Sequence, residues 1–137
     1  MNNRDRKKMA TWICSAAEDG RVGALRELLH RGGDPDGRRP DGATPLYLAA
    51  AQDQPRCVEA LLQAGASPNT ESTGWRAGLP LAVAATHAFV DTAAVLLRFG
   101  ADPRQAETGG SPAVQWADRP GDDSPQRKAI KELLAGA

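Results

Sequence analysis

TPLYLAA at residues 44–50, followed by VEALLQAGASPN at 58–69, is the stretch whose reading decides the fold. Thr44 carries a hydroxyl able to cap a helix, and Pro45 suits the first helical position, where no amide hydrogen is missed. The small residues Ala49 and Ala50 let this short helix lie close against its neighbours. Asp53-Gln54 before Pro55 reads as a tight turn. Beyond it Val58, Leu61 and Leu62 stand at i, i+3 and i+4, one apolar face of a second helix. Gly65 follows where a left-handed C-terminal cap is wanted, and Pro68 then turns the chain outward.

The unit recurs. Leu61-Leu62-Gln63-Ala64-Gly65-Ala66-Ser67-Pro68 has counterparts in Leu28-Leu29-His30-Arg31-Gly32-Gly33-Asp34-Pro35 and in Leu96-Leu97-Arg98-Phe99-Gly100-Ala101-Asp102-Pro103. From Leu28 the leucine pairs follow at intervals of 33, 35 and 37 residues, ending at Leu133-Leu134. Thr44-Pro45-Leu46 is echoed in step by Leu79-Pro80-Leu81 and Ser111-Pro112-Ala113. Two independent landmarks on one period define a repeat, and a period of this length marks a stacked array.

These residues resemble the ankyrin repeat, a helix-turn-helix unit of 33 residues with the signature T-P-L-H-x-A. Tyr47 stands where that family usually has His. Repeat three departs with Leu79 for Thr and Ala82 for His, repeat four departs further, and repeat one is recognised only by phase. The likeness covers roughly residues 11–137. It implies an all-α solenoid of four units with finger-like turns between them, about residues 4–36, 37–69, 70–104 and 105–137 of one domain, 1–137.

No unit buries its apolar stripe alone, so the units must stack. Ser111-Pro112 and Ser124-Pro125 both read as a cap followed by a first turn, whereas Leu79-Pro80 supplies no cap and predicts a less firmly started helix. The ends read as solvent-facing. Gln126, Arg127, Lys128, Lys131 and Glu132 lie opposite the last stripe, and Arg4, Asp5, Lys7 and Lys8 lie opposite Met9, Trp12 and Ile13. Polar terminal faces predict a whole array with its first and last units as caps.

Seventeen basic and seventeen acidic residues cancel, so no overall charge draws the chain to nucleic acid or an anionic membrane. The basic N-terminal run reads as a solvated helix face. Cys14 and Cys57, the only cysteines, sit in apolar helical contexts and read as buried free thiols. No apolar run approaches a membrane span, and no apolar stretch follows the basic start as a secretory signal would require. These features predict a cytoplasmic protein, and the abundance of Ala, Arg, Gly, Asp and Pro hints at a bacterial source.

The ankyrin resemblance implies that partners are gripped by the fingers and the outward positions of the first helices. Position by position the candidates are Pro40, Asp41, Ala43, Ala51 and Gln52 in repeat two, and Trp75, Arg76, Gly78, Thr86 and His87 in repeat three. In repeat four they are Glu107, Thr108, Gly110, Asp118 and Arg119, with Arg31 and Phe99 lower on the same side. Fifteen residues separate Gly65 from Pro80, against thirteen from Gly32 to Pro45 and twelve from Gly100 to Pro112. The longer third finger carries Trp75-Arg76, a pair enriched at binding hot spots. The alternative is that Trp75 folds onto the neighbouring finger. Phe99 is expected to pack against the next repeat, and Trp12 and Trp116 to stack within the core.

His30 and His87 lack a second ligand at metal spacing, and Asp118, Asp122 and Asp123 lack the oxygen density and closing Glu of a calcium loop. No nucleotide-binding or hydrolase motif is present. The expectation is a non-enzymatic protein-binding module without cofactor or metal, monomeric alone. Its partner is a protein, not nucleic acid or membrane. An immunity or antitoxin protein masking an effector enzyme is the alternative. An enzyme and a nucleic-acid binder are the weaker readings.

Overall fold

Thr44 Oγ1 accepts the backbone amide of Tyr47 at 3.2 Å, and with Pro45 in the first turn it starts helix α3, Pro45–Ala51. In the computed structural model, which describes residues 2–137, this helix is one of eight among the described residues. The others are α1 (Asn3–Glu18), α2 (Val22–His30), α4 (Pro55–Gln63), α5 (Pro80–Thr86), α6 (Val90–Arg98), α7 (Ala113–Trp116) and α8 (Pro125–Ala135).

The helix ends follow the sequence closely. Gly32, Gly65 and Gly100 have φ of 94°, 100° and 95°, the left-handed conformation that a side chain resists. The next residue in each case bonds back over the last turn: Gly33 to the Leu28 carbonyl, Ala66 to Leu61 and Ala101 to Leu96. That is the paired C-terminal cap expected of a glycine placed there. Ser124 caps α8 by accepting the Arg127 amide at 3.1 Å, and Leu79 gives α5 no side-chain cap. Ser111 is a correction. Pro112 occupies the N-cap position, no side chain caps α7, and that helix is a single turn of four residues.

Helices pair as α1/α2, α3/α4, α5/α6 and α7/α8, and the pairs stack into two rows. The first helices α1, α3, α5 and α7 contact one another in order, as do the second helices α2, α4, α6 and α8. Between the rows runs one apolar spine that includes Ile13, Leu25, Leu46, Val58, Leu61, Leu81, Ala93, Leu96, Ile130 and Leu134. Burial of the leucine, isoleucine and valine side chains among them is worth about 1.5–3 kcal/mol each, and each repeat supplies only part of its neighbour's cover.

The third residue of three second helices reaches back to the preceding repeat. Cys57 Sγ donates to the Ala16 carbonyl at 3.9 Å, and Thr92 Oγ1 to Asp53 Oδ1 at 2.8 Å. Arg127 makes the equivalent contact in α8. It was expected on the solvent face, yet it is only 2% exposed. Its guanidinium donates to the carbonyls of Ala85 at 2.6 Å, Thr86 at 2.9 Å and Ala117 at 3.3 Å, and to Asp122 Oδ2 at 3.1 Å. A cation over the open carbonyls at the ends of α5 and α7 also complements their dipoles.

Two tryptophans also leave their expected place. Trp12 is 55% exposed and Trp116 is 40% exposed. Trp12 lies two residues past the buried Ala10, about 200° round the helix from it. At α7 the buried positions are Ala113 and the C-cap residue Ala117, and Trp116 between them turns to the other side.

Candidate partner-binding surface

The third finger is a small hairpin. Ser72 N donates to the Gly78 carbonyl at 2.9 Å and Gly78 N to the Ser72 carbonyl at 3.0 Å. The five residues between them lift Trp75 to the tip, where it is 96% exposed. Its side chain does not fold onto the neighbouring finger, the alternative that the sequence left open.

This hairpin is clamped to the finger before it. Thr73 N and Thr73 Oγ1 both donate to the Gly42 carbonyl, at 3.1 and 3.2 Å. Arg38 donates to that same carbonyl and to the Glu71 carbonyl, each at 2.8 Å. Gly74 has φ of 81° and sits so close to the Asp41 carbonyl that a Cβ would collide with it. On the other side Glu71 Oε1 accepts the Thr108 amide at 2.7 Å. Three fingers therefore form one braced ledge.

A charge network ties the ledge to the first-helix row. Glu18, the last residue of α1, pairs with Arg39 Nη1 and with Arg76 Nη2, each at 3.3 Å. Arg39 also pairs with Asp41 at 3.1 Å. The Asp41 carboxyl is held below the usual carboxylate range, first by the Ala43 amide and then by the Arg39 guanidinium. Beneath this network lies Cys14, fully buried, whose thiol is pushed up to about 11 by burial, against the pull of Arg39. Cys57 is likewise buried, and burial raises its thiol too, so neither favours the thiolate that a nucleophile needs.

The predicted contact residues divide into two sets. Pro40, Asp41, Trp75 and Thr108 are exposed on the fingers, with Arg76 partly so. Gln52, His87, Asp118 and Arg119 are exposed along the first-helix side, and Thr86 and Ala51 are half-buried there. His87 stacks on Phe89 with ring centroids 5.3 Å apart, and Asp118 pairs with Lys131 at 2.8 Å. Ala43 is a correction: it is 0% exposed, at the base of its finger, where its carbonyl accepts the Arg39 amide. Gly78 is buried as well, while Gly110 is exposed. Glu107 is half-buried and spent internally, its Oε1 accepting the Leu79 amide at 2.8 Å. Arg31 pairs with Glu27 at 2.7 Å, and Phe99 packs on the core with the Arg98 guanidinium 5.4 Å from its ring.

Sequence reasoning missed Glu18 and Arg39, which orient the ledge, and Trp116, which flanks a cleft on the first-helix side. The Glu18 partners lie in two other repeats, and no local spacing announces them.

A family model of ankyrin repeats, three copies, matches residues 13–107. The chain belongs to the ankyrin-repeat family. Arrays of this family are in general protein-interaction modules rather than enzymes. This ankyrin array is 35% identical over 86 residues to human ankyrin repeat domain-containing protein 63, covering 60% of the chain but 22% of that protein. It is 35% identical over 78 residues to human oxysterol-binding protein-related protein 1, covering 56% of the chain and 8% of that protein. The match to human cyclin-dependent kinase inhibitor 2A is longer, 33% over 128 residues, with 93% of the chain and 78% of that protein covered. The chain thus spans under a quarter of the first two relatives and most of the third. Among its described residues no helix is long and apolar enough to cross a membrane.

Proposed function

We propose that this ankyrin array binds a protein partner across the finger ledge and the outward side of the first-helix row, and performs no chemistry of its own. The contact set is Pro40, Asp41, Gln52, Trp75, Arg76, Thr86, His87, Thr108, Asp118 and Arg119, with the buried Ala43 and the internally bonded Glu107 removed. One observation carries the reading. Trp75 stands 96% exposed on a hairpin that is already braced on both sides. A tryptophan brings 150–250 Å² of burial to a complex, and a preorganised loop spends little entropy when it docks. The surface serves in the cytoplasm, on a protein that is monomeric until it meets its partner. It is not a nucleic-acid or membrane surface.

A second reading, inhibition of an effector enzyme by occlusion, is favoured by the relative named as a kinase inhibitor, which matches along most of both chains. In this form the partner is an enzyme, as for an immunity or antitoxin protein, and the ledge covers its active site.

The test is capture from lysate of the source organism with immobilised wild type, Trp75→Ala, and Gln63→Ala on the second-helix side. A partner held by wild type and Gln63→Ala but lost with Trp75→Ala, at an unchanged melting temperature, supports the reading. Undiminished capture by Trp75→Ala overturns it. If the captured protein is an enzyme whose activity falls at one-to-one stoichiometry, the inhibitor form holds; full activity in the complex excludes it.

A further inference from the structure

The exposure of Trp116 opens a second aromatic site on the first-helix side. Its indole flanks a cleft of about 350 Å³ between the end of α5 and the loop after α7, walled also by Thr86, Ser111, Gln115, Arg119 and Pro120. The Thr86 hydroxyl donates its proton to the Ala82 carbonyl at 2.8 Å, so toward a ligand its oxygen can act only as an acceptor. The Gln115 side chain, exposed, adds an amide able to bond a backbone.

Charge decides what the cleft can accept. Asp118 at its rim is compensated by Lys131 at 2.8 Å, and that hydrogen bond holds its carboxyl below the usual range. The Arg119 side chain makes no ion pair or hydrogen bond among the described residues. The unbalanced charge in the cleft is therefore one guanidinium, beside an indole. A guanidinium presents a planar fork that matches a carboxylate, and an indole face suits apolar or methylene groups. A dianionic phosphate fits less well: it would meet only one free cation, which leaves half of its charge unmatched.

We propose that this cleft receives an acidic segment of the protein partner, with a carboxylate held by Arg119 and an adjoining apolar side chain against Trp116. The inference rests on the partner-binding reading of this face and adds to it the chemistry that the partner must carry. Trp75 then supplies contact area at the fingers, and the Trp116–Arg119 cleft selects.

The probes are two fluorescein-labelled pools of twelve-residue peptides, one with Glu-Leu and one with Lys-Leu fixed at the centre, all other positions mixed. Anisotropy with the whole chain is expected to show the Glu-Leu pool bound about tenfold more tightly. Arg119→Glu should reverse that preference, and Trp116→Ala should weaken Glu-Leu binding about tenfold at an unchanged melting temperature. Equal binding of the pools, Glu-Leu binding indifferent to Arg119→Glu, or no binding of either pool overturns the inference. So does a phosphoserine-Leu pool that outcompetes Glu-Leu. None of those results touches the ledge reading, which stands or falls on Trp75 in the capture experiment.

Discussion

The backbone amide of Leu79 donates to Glu107 Oε1 at 2.8 Å, 28 residues further along the chain. One repeat earlier the Thr44 amide donates to Ser72 Oγ at 3.1 Å, across the same separation of 28 residues. Each finger thus ties down the start of the first helix in the preceding unit. For α5 the tie matters more, since Leu79 lacks the hydroxyl by which Thr44 caps α3. A carboxylate there also faces the positive end of the helix.

Glu107→Ala leaves that amide without its partner and is expected to cost about 1.5–3 kcal/mol, the range for hydrogen bonds to charged groups. Glu107→Gln keeps an acceptor and should recover much of the loss. Urea denaturation of the two variants reads the difference. An unchanged midpoint for Glu107→Ala would show that the bond is idle.

Arg127→Met should be among the most damaging single changes in the chain. It strips the Ala85, Thr86 and Ala117 carbonyls and the Asp122 carboxylate of one shared donor. Asp122 is 32% exposed and keeps the Ser124 amide, so the cost comes mainly from the carbonyls left without a donor, about 1–3 kcal/mol for each that stays buried. Arg127→Lys keeps the charge but cannot span all four acceptors, so its denaturation midpoint should fall between wild type and Arg127→Met.

The Glu18–Arg76 pair orients the hairpin more than it stabilises the fold, because ion pairs this open to solvent contribute about 0–1 kcal/mol. Arg76→Gln, which leaves the Glu18–Arg39 pair in place, should leave the melting temperature nearly unchanged while the Thr73 and Gly78 amides exchange faster with deuterated solvent. Exchange rates equal to wild type would mean that the backbone bonds alone hold the hairpin.

Alkaline pH offers a test of the buried thiols. In the unfolded chain Cys14 ionises near its ordinary 9.0; burial holds it protonated to about 11 in the fold. Folding then requires a proton above pH 9. The stability associated with this site is complete below pH 9 and is lost as pH rises toward 11. Cys14→Ala should therefore show a shallower fall in urea midpoint between pH 9 and 11 than wild type. Cys57, raised by burial in the same direction, should flatten it further when also replaced. Parallel curves would contradict the burial argument.

The repeat was legible because its determinants are local and periodic. The Leu-Leu pairs, the glycines at 32, 65 and 100 and the caps at Thr44 and Ser124 each announce themselves within one turn. The extra length of the third finger was legible too, but whether Trp75 stands free or folds onto its neighbour was not, and the 96% exposure decides it. What stayed hidden depends on residues far apart in the chain. Arg127 lies in a run of charged side chains and looks solvated until α5 is brought over it. Ala43 sits beside exposed finger residues but faces Cys14, whose Sγ lies 3.8 Å from its carbonyl oxygen. Trp116 reads as core from its character, but Ala113 and Ala117 take the buried positions and leave it 40% exposed.

Site-specific photocrosslinking bears most directly on partner binding by the ledge and the first-helix side. A benzophenone side chain is placed at position 75, at position 119, or at position 63 on the second-helix side, and the protein is irradiated in cells of its source organism. The expected result is one and the same protein adduct from positions 75 and 119 and none from 63. An adduct formed from position 63 alone, or different adducts from 75 and 119, would contradict it.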